Sequence, residues 1–225
     1  MSSTPASQGS PTEHVRVPPS AAERRRATNP QFAARRDEIV DLAANLFATK
    51  GYTATGIRDI GDAAQLARGA LYYYIDSKES LLGDIHDRIM VPLLEQAHSI
   101  AGLRISAAAR LRLISEVVLR EIIEHNDHIW VVLHENRALT GERRADYEKK
   151  HAEFQNVLVG LLSAGVDSGE FVIDDPRVTM LAFMGMHNYT CQWAHSAGPL
   201  DLASLSQQYC DLFFRGIERG VRADA

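Results

Sequence analysis

The chain has little of what marks a secreted protein, a membrane protein or a common enzyme. Its two cysteines, Cys191 and Cys210, are too few for a disulfide framework. No apolar run is long enough to span a bilayer, and the first thirty residues lack the apolar core of a signal peptide. Both absences predict a cytoplasmic protein. There is no glycine-rich phosphate loop, no nucleophile elbow and no zinc-protease histidine pair. His151 and Glu153 pair as acid and base only on paper, because close neighbours on a helix do not converge. The expectation is therefore no enzyme and no cofactor. Turn-bounded alternation of apolar and polar residues is missing as well, which leaves no strand pattern.

What is present is an unevenly charged, helical chain. The net charge is −5, but the stretch from His14 to Lys78 carries ten Lys/Arg against seven Asp/Glu. A weakly basic head thus sits on an acidic body. Residues 1–30 are rich in Ser, Pro, Ala and Thr and hold Arg24, Arg25 and Arg26 in a row. Too few large apolar residues stand there to pack, so this segment reads as a disordered tail. As a basic arm it suits either a DNA minor groove or plain solvent.

Beyond the tail the pattern is helical throughout, which predicts an all-α fold of about nine helices. Ile39, Leu42, Ala43, Leu46 and Phe47 share one face of a first helix that stops at Lys50-Gly51. Thr55 is placed to cap a short second helix carrying Ile57, Ile60 and Ala64. A third short helix carries Leu71 and Ile75. Ser77 caps a fourth, with Leu81, Leu82, Ile85 and Ile89 inward, which Pro92 should kink or end. Five longer helices follow, at about Ser106–His125, Asp127–Leu139, Glu142–Ala164, Pro176–His195 and Leu202–Gly220. Asp175-Pro176 is a clear start signal, an N-cap followed by proline in the first turn.

Residues 31–82 form the unit that points to function: two short helices joined by a tight turn and braced by a preceding helix. In such a unit the second short helix enters the major groove, so it must be slim and must present polar groups. Here it reads Ala67-Arg68-Gly69-Ala70-Leu71-Tyr72-Tyr73-Tyr74-Ile75. Arg68 has the two donors that guanine accepts, and Gly69 and Ala70 permit close approach to the groove floor. Three consecutive tyrosines point about 100° apart, so one buried face cannot hold them all. Lys78 adds a positive charge at the next helix start.

The run from Gly51-Tyr52 through Thr55-Gly56-Ile57-Arg58-Asp59-Ile60 to Arg68–Leu82 closely resembles the DNA-binding head of the tetracycline-repressor (TetR) family. The resemblance implies phosphate-backbone contacts from Thr55, Tyr72, Tyr74 and Lys78, and base reading by Arg68, Gly69, Ala70 and Tyr73. Gln65 stands where the family usually has glycine in the turn. For residues 83–225 the resemblance implies a ligand-binding and dimerisation domain whose last two helices pair with a second copy. The final helices have apolar surplus for that, in Leu181, Phe183 and Met184 and in Leu202, Leu205, Tyr209, Leu212 and Phe213.

The expected function is a repressor, a homodimer on a palindromic double-stranded operator, released by a small hydrophobic effector. Trp130, Leu133, Tyr147, Phe154, Met184 and His187 are expected around its cavity, with Arg137 and Asn188 as polar handles. The segment Trp130–Arg137, with Tyr147 and Gly198-Pro199-Leu200, also resembles actinobacterial regulators of fatty-acid and cholesterol catabolism, which implies an acyl-coenzyme A effector. The alternative is a multidrug sensor of cationic or aromatic compounds. Glu121, Glu124, His125, His128, His134 and Glu135 lie close in sequence, but they span a helix break, so no metal site is expected. Cys191 and Cys210 read as inert buried thiols.

Overall fold

The computed structural model describes residues 29–194 and 201–217. The expected disordered tail, with its three arginines, lies outside the described residues except at its last two positions. There Asn29 accepts hydrogen bonds from the backbone N–H groups of Gln31 and Phe32, and Pro30 opens the first helix.

Among the described residues there are nine α-helices and no extended strand. They are α1 (Pro30–Lys50), α2 (Ile57–Ala63), α3 (Arg68–Leu71), α4 (Lys78–Ala101), α5 (Ala107–Glu124), α6 (Asn126–His134), α7 (Gly141–Asp167), α8 (Pro176–Tyr189) and α9 (Leu202–Ile217). Ser77 caps α4 in a reciprocal pairing with Ser80, and the Asp175 carboxylate caps α8. Both start signals act as the sequence predicts.

Four local expectations change. The N-cap of α2 is Gly56, whose N–H donates to the Asp59 carboxylate at 2.7 Å. Thr55 lies one residue earlier and turns inward. Helix α4 runs through Pro92, so of the two outcomes expected there, a kink or an end, the end does not occur. Burial of Ile89, Met90, Leu93 and Ala97 around the proline outweighs the missing N–H. Helix α6 stops at His134, five residues early, where the Asn136 amide donates to the carbonyls of Val132 and Leu133 and a 3₁₀ turn follows. Helix α8 gives way after Tyr189 to a 3₁₀ turn, Thr190–Gln192, where the sequence pattern predicts helix to His195; the buried Thr190 hydroxyl lies 2.9 Å from the Tyr209 hydroxyl of α9.

Two apolar cores meet within α4. Leu81, Leu82 and Ile85 join Ile39, Val40, Phe47, Ile60, Leu71 and Ile75 in the head. One turn further on, Ile89, Met90 and Leu93 belong to the body, with Leu111, Ile114, Phe154, Leu158 and Phe183. The head core also takes Val131 from α6 and Leu139 from the following turn. Polar contacts reinforce this second attachment. Asn45 donates to Asp127, the Tyr52 N–H donates to Glu135 at 3.0 Å, and His128 Nε2 lies 3.1 Å from Asp41. The head is therefore fastened to the body chiefly through α4 and α6, with Tyr147 of α7 packed at the edge of its core.

Candidate nucleic-acid interface and effector cavity

The turn between α2 and α3 is strained and tightly closed. Gln65 has φ +54°, a left-handed conformation that costs a non-glycine residue roughly 1–2 kcal/mol. Leu66 N–H donates to the Gly61 carbonyl at 2.8 Å, and a side chain on Gly61 would meet the Leu66 carbonyl at 3.0 Å. Arg35 of α1 donates to the Ala64 carbonyl and ties the turn to the bracing helix. Packing of Leu71 and Ile75 in the head core offsets the strain and fixes the direction of α3.

Helix α3 is only four residues long, so Ile75 lies beyond it on a bonded turn, its N–H on the Leu71 carbonyl. Its outer surface carries the base-reading candidates. Arg68, Gly69 and Ala70 are exposed, and no atom lies within 4 Å of where a Gly69 side chain would begin. Nothing inside the chain requires glycine there, and the position is open to close approach from outside. The tyrosines divide. Tyr74 stacks on Phe32 with centroids 5.1 Å apart, while Tyr72 and Tyr73 are 42% and 45% exposed.

Two of the expected phosphate contacts are engaged inside the protein. Thr55 is 1% exposed, and its hydroxyl donates to the carbonyls of Gly51 and Leu46. In this conformation it closes the end of α1 and offers no donor to DNA. Lys78 Nζ donates to the Tyr52 and Thr55 carbonyls at 2.7 and 2.9 Å, and lies 4.0 Å from the Tyr52 ring centroid. Burial lowers its pKa from the usual lysine value. Of its three N–H groups, one remains for a phosphate. Arg58, which the sequence reading passed over, has a side chain 94% exposed on α2. The only signal for it in sequence was a basic residue in the first turn of the short helix.

In the body, a cavity of about 50 Å³ lies between α4, α5, α6, α7 and α8. Its apolar wall includes Ile89, Leu93, Val118, Leu133, Phe154 and Met184; its polar groups are Glu121, His151 and Asn188. Burial raises the Glu121 carboxyl above the ordinary range and lowers His151. Leu133, Phe154, Met184 and Asn188 were expected there, and they line it.

The other four expected residues do not. Arg137 is exposed on the turn after α6, which ends too early to aim it inward. Trp130 stacks on His134, centroids 4.1 Å apart. Tyr147 packs between His86 and His151 at the edge of the head core. His187 is fully buried in a closed chain: its Nδ1–H donates to the Phe183 carbonyl, Ser115 donates to its Nε2 at 2.8 Å, and Ser206 donates to Ser115. Burial pushes its pKa down to about 4, so it is a neutral tie between α5, α8 and α9.

Outward, the body presents apolar side chains on its last two helices. Phe183 and Phe213 are buried, but Val178, Leu181, Tyr189 and Leu212 are all more than half exposed. Leu205 is half-buried. Among the described residues no group of His, Cys, Asp or Glu converges on a metal position, and no helix is long and apolar enough to cross a membrane.

A slim exposed helix on a strained turn, braced by α1 and mounted on a helical body, defines a helix-turn-helix DNA-binding protein. The comparisons give its kinship. Residues 39–85 match the family model for bacterial regulatory proteins of the tetR family, and residues 104–217 match the tetracyclin repressor-like C-terminal domain. The chain belongs to the TetR family of transcription regulators. It is 30% identical over 194 residues to the transcriptional repressor KstR2 of Mycolicibacterium smegmatis, covering 84% of this chain and 94% of that one. The solved structure of the ketosteroid transcriptional regulator KstR2 of Mycobacterium tuberculosis superposes with a TM-score of 0.77 at 26% identity, over 83% of this chain and 96% of that one. AibR, solved with isovaleryl coenzyme A and operator DNA, superposes with a TM-score of 0.72 at 26% identity, over 80% and 98%.

Proposed function

We propose that this protein is a ligand-responsive repressor that binds a palindromic operator as a homodimer and is released by an acyl-coenzyme A. One observation carries the ligand response: the two helices that fasten the head also line the cavity. Helix α4 gives Leu82 and Ile85 to the head and Ile89 and Met90 to the cavity, while α6 gives Val131 to the head and Val132 and Leu133 to the cavity. At about 50 Å³ the cavity is well below the roughly 300–1,000 Å³ of small-molecule sites, so an effector must part these helices to enter. Their movement reaches the head directly. Release follows when the effector binds the DNA-incompetent head spacing more tightly than the competent one.

The lining has no cation, so the acyl group belongs inside and the charged coenzyme A outside. The exposed Val178, Leu181, Tyr189 and Leu212 form the surface for the second copy. Arg68, Gly69, Ala70 and Tyr73 read bases; Tyr72, Arg58 and the remaining N–H of Lys78 hold phosphates. Relatives that include a fatty acid metabolism regulator of Bacillus subtilis, 24% identical over 182 residues, support the lipid reading.

A second reading rests on Glu121, a carboxyl in an apolar wall that suits a cationic aromatic ligand. Titrating the protein–operator complex with acyl thioesters, the matching free acids and cationic dyes separates the two. Release by thioesters at concentrations where free coenzyme A does nothing is the expected result. Release by dyes alone would overturn it in favour of a multidrug sensor.

A further inference from the structure

His86 is a buried base without a hydrogen bond among the described residues. It is 2% exposed on α4, and neither Nδ1 nor Nε2 has a hydrogen-bond partner among the described residues. Its surroundings are apolar or aromatic: the head core lies on one side, and the Tyr147 ring stands edge-on with centroids 4.8 Å apart. Burial pushes its pKa down to about 4, so the ring is neutral and keeps one N–H donor and one acceptor. A neutral imidazole in that state is an incomplete site.

The same ring stands next to the effector cavity. Ile89 and Met90, three and four residues further along α4, line the cavity, so the helix places His86 one turn beyond its head-side end. His151 also lines the cavity, and its ring lies against Tyr147 with centroids 5.6 Å apart. Tyr147 in turn lies against His86. Displacing His151 and Tyr147 therefore lengthens the cavity toward His86.

We propose that His86 is the terminal subsite of the effector pocket, and that it takes a neutral oxygen, a hydroxyl or a carbonyl, at the far end of an apolar effector. The proposal rests on the cavity reading above and adds the chemistry of the buried end. A hydroxyl donates to the bare imidazole nitrogen, and a carbonyl accepts from the N–H on the other. A carboxylate is disfavoured, because a ring that stays neutral supplies no countercharge. The subsite also has a consequence for regulation. An effector long enough to reach His86 parts Tyr147 from α4 at the edge of the head core, and a shorter one leaves that contact in place.

The test uses the full chain labelled with ¹⁵N-histidine and a series of acyl-coenzyme A probes of eight to fourteen carbons, each with and without a terminal hydroxyl. At one chain length the hydroxyl should tighten binding about tenfold, the size of one net hydrogen bond, and move the His86 ring ¹⁵N resonances. In His86→Phe, which keeps an aromatic ring beside Tyr147, the preference for the hydroxyl should fall to within twofold. Cyclohexanone and methylcyclohexane serve as fragments that need no thioester. If neither series nor fragments perturb the ring ¹⁵N resonances of His151, which lines the cavity, the cavity reading itself fails. If they do, but the hydroxyl gives no advantage at any length and the His86 resonances stay still in the wild-type protein, the subsite is wrong. A water already bonded to His86, seen as hydrogen-bonded ¹⁵N shifts before any probe is added, would also overturn it.

Discussion

Where α8 and α9 meet α5, every polar group around His187 is used: carbonyl, imidazole and two serine hydroxyls form one satisfied chain. Where α4 meets α7 beneath the head, His86 is just as buried and bonds to nothing among the described residues. The two rings share a depressed pKa of about 4 and differ in what surrounds them. The first region is fastened and carries the exposed apolar face proposed for a second copy. The second holds an imidazole unbonded among the described residues beside the cavity, at the joint that would move in the proposed response. Firmness on one side and an unsatisfied joint on the other suit the proposed response, in which ligand entry would displace the head and leave the partner face alone.

Acid should weaken both regions through the same chemistry, and this is the largest effect expected. In the unfolded chain both imidazoles take up protons near pH 6.5, whereas in the folded chain they do so only near pH 4. Between these values the unfolded state holds more protons, so stability is full above pH 6.5 and falls as pH drops toward 4. The loss is on the order of 3 kcal/mol for each histidine. Urea unfolding at pH 7 and pH 4.5 measures it, and replacing either histidine by phenylalanine should remove that residue's share.

At neutral pH the same two replacements should part company. His187→Phe strands the Ser115 hydroxyl and should lower the unfolding free energy by about 1–3 kcal/mol. His86→Phe removes only an unpaired group and should cost nothing measurable. Equal losses in the two variants would erase the distinction between the regions. Arg68→Ala marks the far end of the scale. It should leave stability within about 0.5 kcal/mol, because the side chain is exposed. It should weaken operator binding by about 1–3 kcal/mol and relax preference at one base position, as read by gel shift on single-base operator variants.

How much of this was legible beforehand follows from how local each feature is. The head was, because Gly51, Ser77 and the spacing of Ile39 through Leu82 act within a few residues of themselves. Even the departure at Gln65 shows in the fold as a left-handed residue. The cavity was half legible. Phe154 and Met184 face it, but Tyr147, two turns before Phe154 on the same side of α7, has passed the cavity and reached the head core. His187 is one position from Asn188, and that 100° step carries it from the cavity to Ser115. Sequence periodicity says which side of a helix is buried. It does not say what lies opposite each turn. Arg137 failed for a different reason, because α6 ends at His134 and no residue at that end signals the stop as strongly as Asp175-Pro176 signals a start.

In the proposed mechanism the effector sits among α4, α6 and α8 and acts on the head from there. Hydrogen exchange of the DNA-free protein, followed by mass spectrometry with and without decanoyl-coenzyme A, tests it most directly. Peptides spanning residues 89–93, 129–133 and 184–188 should become protected at the concentrations that release the operator. Release without protection of those segments, or protection confined to other surfaces, would contradict it.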